Sequence, residues 1–249
     1  MLPVYVNSKG RPTGKAFALM AAAGIRPVVF VEPQDEVAYR KAGHRKLVVL
    51  DEDDRGLTVA RNRVFDYSES KGVRAYWLID DDVNHVYTSP GDGKCHPAEI
   101  GDVLTSCERV LEQLGLPLGQ AAMEYQQFAW SAKRPYTLNT YCDVAVVIYA
   151  ENLRSVGARW DEDLKYFKSD RDLTLQSITR GLSTIRLHQF AFSTPKNGSN
   201  DGGMAPMYAV SGLEEAESLA MCEKWPGICT FNLKKDGRPD VAINWRMFR

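Results

Sequence analysis

Four short apolar runs, separated by helical stretches, fill the first third of the chain and limit it to few folds. "LPVYV" (2–6) leads into the turn "NSKGRPTG", after which residues 15–23 suit a helix stopped by Gly24. "RPVVFVEP" (26–33) precedes a short helix over 34–42. "KLVVLDED" (46–53) precedes a helix over 56–72 closed by Gly72, and "VRAYWLIDDDV" (73–83) is the fourth strand. Strands that are apolar throughout, with helices between them, predict an α/β protein whose mostly parallel sheet is covered by helices on both faces. In such sheets ligands gather beyond the carboxyl ends of the strands.

The rest of the chain is less regular. Residues 97–115 suit a helix ending at Gly115, and "YCDVAVVIYAENL" (141–153) mixes a buried strand with the start of a helix. A charged loop leads to a helix from about Asp170 to Arg180, with Gly181 as its stop signal. "STIRLHQFAFS" (183–193) is a strand carrying one histidine, and "KNGSNDGGM" (196–204) has the composition of a mobile loop. No linker divides the chain, so residues 1–249 read as a single domain.

Net charge is −1, which neither suggests nor excludes a nucleic-acid partner. A local excess lies at the end, where Lys224, Lys234, Lys235, Arg238, Arg246 and Arg249 face two acids, Asp236 and Asp240. The five cysteines show no Cys-x-x-Cys spacing and follow no signal peptide, which points to reduced thiols in a cytoplasmic protein and away from zinc. The longest apolar stretch is broken by Gly24, Arg26 and Pro27, so no membrane span is expected. Nothing calls for an obligate protein partner.

Asp80, Asp81 and Asp82 stand directly after a buried strand. Three adjacent carboxylates repel one another, and a divalent cation held by hard oxygen ligands relieves that repulsion. Strand alternation turns Asp80 and Asp82 to one side and Asp81 to the other. The plainer reading is a solvated acidic turn.

An α/β half ending in strand–D-x-D resembles nucleotide-sugar glycosyltransferases of the GT-A (Rossmann-like) fold. "GLTVARNRVFD" (56–66) is similar to the Gly-x-x-x-Ala-Arg-Asn segment of family 2 glycosyltransferases. Residues 144–187 are similar to that group's second half, with "SDRDL" standing where the family has Glu-Asp-x-Asp-Leu and Ser169 replacing the usual Glu. More narrowly, "VYVNSKGRP", "ARNR", "LIDDDV" and the "SDRDL" helix resemble the TET-associated glycosyltransferases of phages, which add sugars to hydroxymethylated pyrimidines in DNA.

The resemblance implies a nucleotide-sugar and metal half (1–95) and an acceptor half (96–249). Mn²⁺ or Mg²⁺ would be held by Asp80, Asp82 and His188, the last on the strand where GT-A enzymes often supply a third ligand. A nitrogen ligand favours Mn²⁺ somewhat. The donor, expected to be a UDP-sugar, would be bound by Asn7, Ser8 and Arg11 in the first turn, by Arg61 and Asn62, and beside Asp80 and Asp81. Ordinary turn chemistry and an Arg–Asp pair are the structural rivals there. Asp170 is the expected general base and Asp172 the reserve, with a helix N-cap as the alternative for Asp170. Asp161, Glu162 and Asp163 read as loop acids. Trp160 and Tyr166 would wall an extruded base, and Lys234, Lys235 and Arg238 would touch phosphates of double-stranded DNA. The rivals are a family 2-like enzyme acting on a saccharide or small metabolite, a sugar-nucleotide transferase with the same half-sheet, a non-catalytic nucleotide-sugar or DNA-binding module, and a metal-dependent nuclease.

Overall fold

The structure, a computed structural model, describes residues 1–196 and 201–248. Of the loop expected at 196–204, residues 197–200 therefore lie outside the described residues, as does Arg249 of the basic end.

The first part of the chain runs β1 (Val4–Asn7), α1 (Lys15–Ala22), β2 (Val28–Val31), α2 (Glu36–Lys41), β3 (Leu47–Val49), α3 (Leu57–Ser70) and β4 (Tyr76–Ile79). Then follow β5 (His85–Thr88), β6 (His96–Pro97), α4 (Ile100–Leu114), β7 (Leu118–Tyr125), α5 (Gln126–Ala129), β8 (Tyr136–Leu138), β9 (Ala145–Ile148) and α6 (Ala150–Ser155). The chain closes with α7 (Ser169–Thr179), β10 (Ser183–Ser193), α8 (Ala205–Tyr208), α9 (Leu213–Lys224), β11 (Cys229–Leu233) and β12 (Pro239–Ile243).

Among the described residues one ten-stranded sheet has the order β3-β2-β1-β4-β9-β7-β10-β5-β6, with β8 also paired to β10. Its pairings set β3, β2, β1, β4, β7, β10 and β6 running one way and β9, β5 and β8 the other. Side-chain alternation shows why both faces are covered. Val4, Val6, Trp77, Ile79, Ala121, Met123, Ala145 and Val147 share a core with α1 and α4, through Met20, Leu104 and Cys107. Their neighbours Tyr5, Tyr76, Leu78, Ala122, Val146 and Ile148 share a second core with α3, α6 and α7, through Phe65, Leu153 and Leu173. Each of the larger aliphatic side chains buried there contributes about 1.5–3 kcal/mol.

Because β9 is antiparallel to its neighbours, its amino end lies beside the carboxyl ends of β4 and β7. Asp143 and Val144 at that end, with the carboxyl ends of β1, β4, β7 and β10, therefore crowd one edge of the sheet. A further core of Leu164, Leu175, Met221, Cys229 and Val241 joins α9 and the β11–β12 hairpin to α7. All five cysteines are free thiols. No helix of the described residues is long and apolar enough to cross a membrane.

β4 is shorter than the expected strand, ending at Ile79, so the three aspartates stand outside it. β7, a buried strand between β9 and β10, was not expected, nor were β5, β6, β8, α9 and the hairpin.

Candidate active site

A cleft of about 990 Å³ opens along that sheet edge. Its walls include Asn7, Ser8 and Arg11 after β1, Arg61 from α3, Asp80–Asp82 after β4, Asp143 and Val144 before β9, and Asp170 and Arg171 from α7. Lys234 and Arg238 of the hairpin also border it.

The chain turns at Asp80, where the Val83 N–H donates to the Asp80 carbonyl at 3.3 Å. Strand alternation therefore does not apply to the triplet. Asp81 is the buried member: Arg11 Nη1 donates to its Oδ1 at 2.8 Å, and Ser8 Oγ donates to Oδ2. Burial nevertheless pushes the Asp81 carboxyl up, against the lowering pull of Ser8 and Arg11. Asp82 lies 3.4 Å from the same guanidinium nitrogen and is more open to solvent. Tyr39, whose hydroxyl burial pushes up to about 12, accepts from the Arg11 N–H at 3.0 Å and lies 2.5 Å from Ser8 Oγ. Gly14 closes this turn because a Cβ there would sit 2.6 Å from the Asp81 carbonyl oxygen. Ser8 and Arg11 are thus bound to the triplet itself, and Arg11 is the first cation among the aspartates.

The second is Arg61. Burial drives the Asp80 carboxyl well above the usual range; Arg61 opposes this, while Asp82, Asp170 and Asp81 add to it. The Asp80 N–H is fixed by the Val144 carbonyl at 2.9 Å. Val144 has φ +64°, a costly conformation for a β-branched residue, held beside the cleft by its surroundings.

Among the described residues no group of three or more His, Cys, Asp or Glu could hold a metal ion. Two hard carboxylates, Asp80 and Asp82, nevertheless fit a divalent cation that takes its remaining ligands from substrate phosphates and water. The repulsion from Asp82, Asp170 and Asp81 that adds to the effect of burial on Asp80 is of the kind such a cation relieves. His188 does not join them. It stands mid-strand in β10, its Nε2 3.1 Å from Thr137 Oγ1 and 3.8 Å from Glu124, and it does not line the cleft. Only the strand's far end, at Phe192 and Ser193, does so, and the preference for Mn²⁺ drawn from a nitrogen ligand falls with it.

Across the cleft, Arg61 Nη1 donates to Asp170 Oδ1 at 2.6 Å and to Ser169 Oγ at 3.3 Å. Asp170 sits in the first turn of α7, while the cap position is Lys168, with no side-chain cap, so the N-cap alternative is excluded. Burial raises the Asp170 carboxyl; Arg61 opposes this and Asp143 adds to it. Asp172 is fully buried, accepting from Gln176 Nε2 at 2.6 Å and Trp225 Nε1 at 2.8 Å, with Lys224 also at 2.8 Å. It anchors α9 and does not reach the cleft.

Asn62 and Trp160 are also corrected. Asn62 is buried and donates to the Trp160 carbonyl at 3.0 Å and to Glu162 at 2.9 Å, tethering the loop before α7 rather than facing the cleft. Trp160 packs edge-on against Phe65 in the core and cannot wall a base. Tyr166 does line the cleft. Glu162 is thus a tether, and Asp161 pairs with Lys224. At the end of β1, both side-chain polar atoms of Asn7 are buried without a partner, although the residue lines the cleft. A buried amide with neither group satisfied is what a ligand with complementary polar edges would bond.

The main feature missed in the sequence is a buried arginine. Arg186 donates to Asp143 at 2.6 Å, Glu124 at 3.2 Å and the Tyr141 carbonyl at 2.8 Å, while Tyr125 donates to Asp143 at 2.8 Å. An acid bordering an apolar run, as in "YCDVAVVI", was the available signal.

The TET-Associated Glycosyltransferase family matches residues 2–203. No curated protein matches the chain. Among solved structures, S. aureus TarS 1–349 superposes with TM-score 0.53 at 12% identity, over 88% of this chain and 65% of that one. The same protein in complex with UDP gives 0.52 at 12% identity, over 89% and 66%. The chain thus spans just under two thirds of the length of these structures. The shared architecture is that of GT-A glycosyltransferases.

Proposed function

The chain belongs to the TET-associated glycosyltransferase family, and from that premise we propose that its cleft moves a sugar from a UDP-sugar to the hydroxyl of a hydroxymethylated pyrimidine in DNA. The observation that carries this reading is that one cleft holds Asp80 and Asp82 on one wall and Asp170 on the other, with Arg61 between them.

In this reading the acceptor oxygen attacks the anomeric carbon, the carbon–oxygen bond to the diphosphate breaks, and Asp170 takes the hydroxyl proton. A carboxylate lifted by burial holds that proton better than an ordinary one. Asn7, with its unsatisfied amide, bonds the base or ribose of the donor. Ser8 and Arg11 act through Asp81, holding the aspartate turn in shape. A divalent cation, Mn²⁺ or Mg²⁺, at Asp80 and Asp82 would neutralise charge on the leaving diphosphate.

An acceptor base leaves the duplex stack to reach Asp170 and is held against aromatic walls, for which Tyr166 and Tyr208 are available. Lys234 and Arg238 at the same cleft suit backbone phosphates. Such a substrate places the enzyme in the cytoplasm, that of the host cell where the gene is a phage's.

The test is mass spectrometry of hydroxymethylcytosine and hydroxymethyluracil DNA after incubation with a panel of UDP-sugars and Mn²⁺ or Mg²⁺. A mass increase of one sugar residue is expected on one of the bases. Unmodified nucleosides with every donor would remove DNA as the acceptor.

A further inference from the structure

The transfer chemistry leaves one surface beside the cleft unexplained. α5 and the turn after it, residues 126–135, read "QQFAWSAKRP", with two basic residues and no acid. Phe128 is 54% exposed and Trp130 51%, and Lys133 and Arg134 are exposed as well. Gln126, Gln127 and Phe128 border the cleft itself.

These rings are held, not loose. Trp130 Nε1 donates to the Gln127 carbonyl at 3.0 Å, which fixes the indole against its own turn. Phe128 meets Tyr125 edge-on at 6.4 Å, and Tyr125 lies 4.6 Å from the buried Phe192. Tyr125 is fixed in turn by its hydrogen bond to Asp143. Phe128 is therefore the outermost of three rings running from the core to the lip of the cleft. Leaving two large aromatics in water forgoes the burial that folding rewards, and Phe128 does so at the rim of the cleft.

We propose that Phe128 and Trp130 form a wedge that enters double-stranded DNA beside the target nucleotide and supports the opened stack, with Lys133 and Arg134 on the flanking phosphates. Apolar side chains inserted between base steps unstack them, and neighbouring cations supply the attraction to the backbone. The exposed aromatics, the unopposed positive charge and the continuity with the cleft together fit a duplex nucleic acid. The inference rests on the DNA-acceptor reading above.

The test compares Phe128→Ala, Trp130→Ala and the double variant with the wild-type chain. Each acts on one hydroxymethylated oligonucleotide offered as a duplex and as a single strand. A second duplex carries 2-aminopurine beside the target. The ratio of duplex to single-strand turnover is expected to fall about tenfold in the double variant, the scale of losing base–aromatic stacking. The 2-aminopurine brightening on binding is expected to vanish with it, and Phe128→Trp is expected to keep both signals. An unchanged ratio together with equal brightening overturns the wedge, as does finding that the wild-type chain sediments as a dimer that the double variant dissolves. A wild-type chain that modifies neither strand form overturns the DNA reading instead.

Discussion

Arg61 Nη1 lies 2.6 Å from Asp170 Oδ1, joining the "ARNR" helix to the "SDRDL" helix across 109 residues of chain. The same buried guanidinium opposes the rise of the Asp80 carboxyl from the other side, so one cation serves both walls of the cleft. Its removal leaves the half-buried Asp80 and Asp170 without their shared counter-charge, while Asp143 keeps Arg186. Arg61→Ala is expected to cost about 3–5 kcal/mol of stability in urea denaturation and to abolish UDP release. Arg61→Lys is expected to regain part of the stability but little turnover, since an ammonium cannot reproduce the guanidinium fork. Full turnover in Arg61→Lys would show that only charge matters there.

Within the aspartate triplet Asp81 stands apart from Asp82 because of the turn it sits in, not because of strand alternation. Asp81 is bound by Arg11 and Ser8 in a buried turn, whereas Asp82 is the more accessible carboxylate. Asp81→Ala is expected to cost about 1.5–3 kcal/mol by chemical denaturation, the range for a lost charged hydrogen bond. Asp82→Ala is expected to stay within about 1 kcal/mol of the wild type while the metal concentration for half-maximal UDP release rises at least tenfold. The reverse ranking would move the metal site to Asp81.

As the proposed general base, Asp170 gives the pH dependence of turnover a definite sign. Its carboxyl is raised from the ordinary value of 3.8 because burial outweighs Arg61. A base works only when ionised, so activity falls as pH drops through that raised value. The acid limb of kcat/KM is therefore expected above the ordinary carboxylate range, not at it. Asp170→Asn is expected to lose at least about 100-fold in kcat, the usual contribution of a general base. An Asp170→Asn variant with near-normal kcat would overturn the assignment.

Asp172 tests the separation of the two acids of "SDRDL". Its carboxylate is fully buried and ties Trp225 and Lys224, at the end of α9, to α7. Asp172→Ala is expected to cost about 3–5 kcal/mol and to make the C-terminal segment from α9 onward the first to lose hydrogen-exchange protection. Normal stability with lost activity would instead return Asp172 to the reaction.

The layered α/β fold was legible because buried parallel strands leave uninterrupted apolar runs. The edge where ligands collect followed from the same pattern. β7 was not legible, because "LGQAAMEY" mixes Gly119, Gln120 and Glu124 into a buried strand. Those residues are there for contacts made by distant elements: Thr174 donates to Gln120 Oε1 at 3.1 Å, and Arg186 pairs with Glu124. That Asp80, Asp82 and Asp170 border one cleft followed from strand ends and motif order. His188, Asn62 and Trp160 were not placed correctly, since which face of an element meets the cleft depends on bulges, strand length and tertiary contacts. Alternation is not what sets Asp81 apart, because the strand ends one residue before the triplet.

The hairpin wall bears on what the acceptor is. Arg171 at 2.8 Å, Lys168 at 3.4 Å and Lys234 at 3.9 Å all share the single carboxylate of Asp240, with Arg238 nearby at the cleft. Glu214 takes part of the charge of Lys168, at 2.8 Å, and Asp236 that of Arg238, at 3.1 Å, which leaves four cations against three acids. Burial, then the neighbouring Arg238, Lys168 and Arg171, holds the Lys234 ammonium below its usual value against Asp240. A phosphate beside Lys234 would relieve that crowding. Binding of duplex DNA is accordingly expected to weaken steeply with salt, and Lys234→Ala with Arg238→Ala to reduce the slope of log K against log salt by about 2. Filter binding or fluorescence anisotropy over a salt series measures the slope directly. A slope unchanged by both substitutions would leave the hairpin off the DNA and move the phosphate contacts to another part of the rim.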